Sequence, residues 1–287
     1  MEIFARKKSL RIKGKLFDLS EPVVMGILNV TPDSFYDGGR FSGADEVVSR
    51  VGQMRDEGAD IIDVGAVSTR PGAGTVPETE EQHRLSWVME AILKEFPDAI
   101  ISVDTVRSAV ARNMVENYGV AIINDISAGS FDRNMLNTIA ELQVPYVAMH
   151  MQGTPETMQL DPKYDDVVND ILKFFAGKIR IMRSMGIGDI IIDPGFGFGK
   201  TVDHNYILAA NLEEFSMLGL PVLAGFSRKS MICKLLRVNP PGALAGTIAL
   251  NAIAVFKGAD ILRVHDVREA KDTIRVLEYL KKAKGET

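Results

Sequence analysis

Cysteine is almost absent: Cys233 is the only one in 287 residues. An internal disulfide is therefore impossible and a thiolate zinc cluster is excluded, which suits a reducing compartment. Cys233 itself reads as a small buried hydrophobe. A basic surplus is missing too. With 33 Lys and Arg against 38 Asp and Glu, the net charge is -5, so nucleic acid is not an expected partner and any anion site must be local. No stretch approaches the roughly 20 apolar residues of a membrane span. The opening MEIFARKKSLRIKG carries basic residues but no apolar run of signal-peptide length, and a cytoplasmic location is expected. Hydrophobic residues at 46% and charged residues at 25% are nevertheless ordinary for a globular chain that can bury a large core.

What the chain does have is a repeat of short Val- and Ile-rich runs. They are VVMGILNV (23–30), ADIIDVG (59–65), AIISVDT (99–105), VAIINDIS (120–127), PYVAMHM (145–151), DIIIDPGF (189–196), PVLAGFS (221–227) and DILRVHD (260–266). Continuous apolar runs mark strands buried on both faces, the habit of parallel sheets. Between them lie amphipathic stretches such as PETEEQHRLSWVMEAILKEF (77–96), where Leu85, Val88, Met89 and Ile92 recur at helical spacing behind a proline suited to a first turn. Eight β-α units favour an α/β fold closed as a (β/α)8 TIM barrel over an open doubly wound sheet. Residues 1–20 fall outside the repeat. There LRIKGKLFDL reads as a short N-terminal β-hairpin with a Gly-Lys turn, placed to close the barrel bottom. No linker interrupts residues 1–287, so a single domain is expected.

Polar residues gather where the runs end: Asn29, Asp63, Asp104, Asn124, Asp125, His150, Asp193, Ser227, Arg263, His265 and Asp266. Any one of them could simply cap a strand. In a barrel, however, all strand C-termini open on one mouth, so residues distant in sequence become neighbours there. Several carboxylates and amides around one pocket suit a ligand rich in N–H donors. Lys229 and Arg263 follow the seventh and eighth runs, where barrels commonly hold phosphate. The long segments 31–43 and 66–77 read as loops over that mouth.

The glycine run DPGFGFGKT (193–201) is not a phosphate loop. The pattern ending at Thr201 requires glycine at 194, where Pro194 stands, and a dinucleotide fingerprint would need glycine at Lys200. It reads instead as a tight turn bringing Asp193 and Phe198 close to a flat ligand.

GILNVTPDSFYDGG (26–39) and IIDVGAVSTRPGA (61–73) resemble the two signatures of the dihydropteroate synthases. SVDT, NDISAG, MHMQGTP, DPGFGFGK, GFSRKS and RVHDV follow in that family's order. The match departs at Ala66 and Val67, where the family usually has Gly-Glu. The resemblance implies joining of a pterin methyl diphosphate to 4-aminobenzoate, with departure of diphosphate. It implies that Asp193 anchors the pterin, with Asn124 and Lys229 completing the polar contacts and Met149 and Phe198 lining the ring. Asp104 would contact the pterin and stabilise developing positive charge, while Arg263, His265, Asn29 and a Mg2+ ion hold the diphosphate. Thr69 and Arg70, with Asp33, Ser34 and Phe35, would close over the substrates, and Ser230 with Lys229 would meet the 4-aminobenzoate carboxylate. The expected partners are these small molecules and a second copy of the chain. Two alternatives remain at this point. A pterin-binding methyltransferase barrel shares the pterin half but has no use for a diphosphate site; a non-catalytic pterin-binding barrel would have lost some of Asn29, Asp104, Asp193, Lys229 or Arg263.

Overall fold

All eight expected strands form, and they pair in parallel. The computed structural model describes residues 6–30, 42–67 and 76–285; most of the two long loops, including Asp33, Ser34, Phe35, Thr69 and Arg70, lies outside these. After the hairpin strands β1 (Ser9–Ile12) and β2 (Lys15–Asp18), the barrel strands are β3 (Val23–Asn29), β4 (Ile61–Gly65), β5 (Ile101–Asp104), β6 (Ile122–Asp125), β7 (Tyr146–Met149), β8 (Ile190–Asp193), β9 (Leu223–Ala224) and β10 (Ile261–Val264). They neighbour one another in the order β8-β7-β6-β5-β4-β3-β10-β9. A parallel bridge between Ile192 and Val222 joins the two ends, so the sheet closes.

The helices are α1 (Ser42–Asp56), α2 (Glu78–Glu95), α3 (Ser108–Tyr118), α4 (Met135–Leu142), α5 (Val167–Ser184), α6 (Val202–Ala210), α7 (Ser230–Leu236), α8 (Leu244–Phe256) and α9 (Val267–Ala283). The α2 helix starts one residue after Pro77 and buries Leu85, Val88, Met89 and Ile92 together with Glu81, one residue beyond the apolar stripe read from the sequence.

Strand alternation divides the interior into two apolar regions. Val24, Leu28, Ile62, Val64, Ile101, Val103, Ile123, Tyr146, Ile190 and Ile192 face outward and pack with the helices. Val23, Met25, Ile61, Ile122, Val147, Ile191, Leu223 and Ile261 face inward, where they meet Leu10, Ile12 and Leu19. The hairpin thus plugs the bottom of the barrel. Each of its three buried side chains stabilises the fold by about 1.5–3 kcal/mol. Its turn lies one residue earlier than the sequence suggested. Ile12 pairs with Lys15, and Lys13 and Gly14 both take positive φ, 49° and 77°; a two-residue turn needs that twist to match the strands. The basic segment before it clamps the same end: Lys7 reaches Asp189 at 2.6 Å, and Arg6 and Lys8 both reach the buried Asp260, Lys8 at 2.8 Å.

Because the bottom is filled with apolar side chains, the polar inward positions are left to the strand C-termini. The site is therefore built at the open end.

Candidate active site

Inward-facing parity selects which strand-end residues enter the mouth. On β4 to β6 the inward residues are Asp63, Asp104 and Asn124, and on β8 it is Asp193. Registers place Gly65 beside Asp104 and Asp104 beside Asn124, while Met149 pairs with Asp193. From β10, the Arg263 guanidinium donates through Nε to Asp63 Oδ2 at 2.6 Å and through a terminal nitrogen to Asp104 Oδ2 at 3.0 Å. Asn124 Nδ2 donates to the same Asp63 oxygen at 3.1 Å. One cation and one amide are thus fixed by a fully buried carboxylate. Reasoning from sequence placed Asp63 at a strand end but gave it no role.

Asp193 is 5% exposed, and its Oδ1 accepts from the Gly195 N–H at 2.7 Å. Burial raises its pKa, and the ammoniums of Lys229 and Lys200 and the Arg263 guanidinium oppose that rise. Lys229 Nζ donates to the Phe196 carbonyl and sits 4.8 Å from the centre of the Phe198 ring, a cation–π contact. Burial pushes the Lys229 pKa down to about 8, against the pull of Asp193. Asn29 lies exposed at the end of β3, across Gly65 from Asp104. Ser227 Oγ lies 3.0 Å from His265 Nδ1 and accepts from the His265 backbone N–H at 3.1 Å, which holds the ring on the rim. Ser230 is exposed at the first turn of α7. It borders a cleft of about 200 Å3 also lined by Gln159, Lys200, Thr201, Asn205 and Lys234. Met149 is buried and belongs to neither apolar region.

Three strand-end residues do not converge with the rest. Asp125 points outward, and its carboxylate accepts from Ser127 N–H, Ser127 Oγ, Gly129 N–H and the Tyr146 hydroxyl at 2.6–2.8 Å. It ties down its own loop. His150 packs edge-on against Phe174, with ring centres 4.9 Å apart, and burial together with Lys200 lowers its pKa to about 2, so its ring is neutral. Asp266 is held by Arg228. The parity of a strand explains Asp125 directly; a list of polar residues at strand ends does not distinguish inward from outward. Cys233 is half-buried, its thiol directed at the Arg228 carbonyl at 3.8 Å. Ala66 is fully buried in the outer apolar region.

Asp104, like Asp193, has a carboxyl whose pKa burial raises. Burial raises its pKa from 3.8 to about 7; Arg263 acts against this, while the negative charges of Asp63, Asp125 and Glu81 add to it. A carboxyl that holds its proton more tightly folded than unfolded makes stability fall as pH rises between the two values. The wild type should therefore lose stability relative to Asp104→Asn as pH climbs from 3.8 to about 7, with no further divergence above. Thermal melts of both proteins across that range check this; parallel curves would show that the folded protein does not grip the Asp104 proton.

Comparison with known proteins agrees with this arrangement. Residues 25–265 match the family model described as pterin binding enzyme. The chain is 47% identical to dihydropteroate synthase of Escherichia coli (strain K12) over 286 residues, covering 99% of this chain and 98% of that protein. It belongs to the dihydropteroate synthase family. The same family's Yersinia pestis enzyme, solved with a sulfonamide drug complex, superposes with a TM-score of 0.88 at 43% identity, covering 96% of this chain and 99% of that one. The Xanthomonas albilineans enzyme solved with 7,8-dihydropteroate gives 0.84 at 38% identity, covering 95% and 98%. The chain is accordingly a transferase of folate biosynthesis, and the methyltransferase and non-catalytic readings fall away.

Proposed function

We propose that the mouth carries out the family's condensation with a division of labour between its two sides. The observation that carries this reading is the pairing of Arg263 with Asp63 and Asp104 on one side and the grouping of Asp193, Lys229 and Phe198 on the other. The pterin's pyrimidine edge presents parallel N–H donors, which a carboxylate accepts in pairs. Asp193 takes that edge, Asn124 and Lys229 meet the remaining polar atoms, and Met149 and Phe198 flank the ring. Arg263, His265 and Asn29 hold the diphosphate.

The reaction breaks the bond between the pterin methylene carbon and the diphosphate oxygen. It forms a carbon–nitrogen bond to the amine of 4-aminobenzoate, and a proton leaves that nitrogen. Positive charge grows on the pterin as diphosphate departs, so preorganised negative charge beside it lowers the barrier. Asp104, in its ionised form beside Arg263, supplies that charge, and Arg263 keeps a positive contact for the leaving group. Ser230 and Lys229 meet the 4-aminobenzoate carboxylate. Thr69 and Arg70, which lie outside the described residues, are further substrate contacts in this reading.

The donor set also fits Mg2+ brought in on the diphosphate. Among the described residues no cluster of three or more His, Cys, Asp or Glu could hold a metal alone, whereas magnesium keeps several waters and needs few protein ligands. The exposed Asn29 amide can be one of them, and the ion, when bound, would neutralise diphosphate charge. A homodimer belongs to the same reading. It is supported by the adjoining exposed apolar side chains Ile253 and Phe256 on α8 and Val276, Tyr279 and Leu280 on α9, helices that pack together. A cytoplasmic location is proposed with it and agrees with the single half-buried thiol.

The test is pyrophosphate release from the pterin diphosphate, measured with and without 4-aminobenzoate. The expected result is release that depends on the amine, with dihydropteroate formed in equal amount. Release independent of 4-aminobenzoate would refute the condensation.

A further inference from the structure

Behind the pterin side of the mouth lies a charge that the mechanism above does not use. Lys200 is 3% exposed. Its ammonium donates to the Gly195 carbonyl at 2.9 Å and the Phe198 carbonyl at 3.0 Å, and lies 3.1 Å from His150 Nδ1 and 3.4 Å from the His150 carbonyl. Because the His150 ring is neutral, Nδ1 can accept from the ammonium, which places the ring proton on Nε2. Among the described residues no carboxylate stands within ion-pair distance of it. A buried charge satisfied only by neutral acceptors is costly, and burial lowers the Lys200 pKa to about 7. An apolar side chain of similar length would fill the same space without that desolvation.

What the ammonium achieves is geometric. The loop after β8 folds back on itself through Gly195, Gly197 and Gly199, at φ of 73°, 83° and 61°. A β-carbon at Gly195 would collide with the His150 carbonyl oxygen, and one at Gly199 with the Gln152 backbone. The fold-back turns carbonyls toward one point, and repulsion between them is relieved only by a donor at that point. Lys200 is that donor, and it reaches across to the end of β7 as well. The loop so closed bears three contacts of the pterin side: the Gly195 N–H on Asp193, the Phe196 carbonyl that receives Lys229, and the Phe198 ring beneath the Lys229 ammonium.

We propose that Lys200 is a positioning residue for the pterin side of the site: by binding the carbonyls of both loops it sets Asp193, Phe198 and Lys229 at the separation a flat ring requires. This rests on the pterin reading given above. It predicts a selective defect, because the hydrogen bonds of the Arg263 guanidinium go to Asp63 and Asp104 and not to this loop.

The experiment compares Lys200→Met with wild type by calorimetric titration with 6-hydroxymethylpterin and, separately, with magnesium pyrophosphate. Pterin affinity should fall by about tenfold or more, the effect of leaving buried polar groups unpaired. Pyrophosphate affinity should stay within about twofold, a change too small for the loss of any one charged contact. Unchanged pterin affinity in a folded variant overturns the proposal, as does equal weakening of both ligands. Wild-type protein that binds pyrophosphate but no pterin refutes the pterin reading itself and this inference with it. If the variant does not fold, the ammonium resonance of Lys200 in the 15N spectrum of the wild type decides. A shift on adding pterin but not pyrophosphate supports the role, and no response to pterin overturns it.

Discussion

Replacing Asp193 by Asn should abolish measurable pterin binding while leaving the barrel folded. The carboxylate is buried at the end of β8, and one of its oxygens already accepts from Gly195. An oxygen carries more than one lone pair, so both oxygens can still accept from a ligand. An Asn amide cannot reproduce this. If its oxygen keeps the Gly195 bond, its NH2 group faces the pterin's own donors; if the amide flips, donor faces donor at Gly195. Either arrangement leaves buried groups unpaired, at a cost of about 1–3 kcal/mol or more. Lys229 also loses the charge that offsets its own burial. The fold should survive, because Asn matches Asp in volume and Asp193 belongs to neither apolar region. Fluorescence titration with a pterin, alongside circular dichroism, checks both halves of the expectation. Wild-type affinity in this variant would remove Asp193 from the pterin contacts and leave the division of the mouth without its main support.

The architecture was legible because it is written in periodicity. Runs such as DIIIDPGF and ADIIDVG are apolar on both strand faces, and only a sheet covered on both sides tolerates that. The plug was legible for a related reason, since LRIKGKLFDL alternates around a glycine, although the turn slipped by one residue because Lys13 takes a backbone conformation usually left to glycine or asparagine. The site was legible as a set of strand-end polar residues but not as a geometry. Asn124 and Asp125 are adjacent in sequence, yet one enters the mouth and the other ties down a loop; counting parity from the inward Ile122 would have separated them. Asp63 was visible at its strand end but gave no sign that Arg263 and Asn124 share one of its oxygens. Lys200 was less legible still. Pro194 excluded a phosphate loop, and nothing in FGFGK signals that the ammonium turns inward to collect carbonyls from two loops, because that depends on the fold-back of three glycines and on His150 some fifty residues earlier.

Arg263→Ala should lose nearly all condensation activity and, unlike a substitution on an open rim, should also destabilise the protein. The reason is burial, for the guanidinium is only 20% exposed and lies between the fully buried Asp63 and the nearly buried Asp104. Removing one member of a buried ion pair leaves an uncompensated charge and costs about 3–5 kcal/mol, here with two carboxylates left facing each other. The pH dependence gives the deficit a signature. In the wild type Asp104 already has a pKa near 7 despite the lowering effect of Arg263, so without the arginine its pKa must rise further. Folded-state stability falls as pH rises toward that value and is level beyond it. From 3.8 to about 7 the Asp104 contributions of wild type and variant fall in parallel; above about 7 only the variant continues to fall. Asp104's share of the deficit therefore opens on the alkaline side. Activity should be lost by about 100-fold or more at every pH, as for removal of a preorganised transition-state contact. Arg263→Lys should recover much of the stability, because a cation remains between the carboxylates, but little of the activity, because an ammonium cannot fork toward two partners and a phosphate at once. Melting temperatures on both sides of neutrality, with kcat/KM for all three proteins, decide the matter. An Arg263→Ala enzyme as stable as wild type at alkaline pH would show that the buried triad contributes nothing to the fold, and one that still turns over at the wild-type rate would remove Arg263 from the reaction.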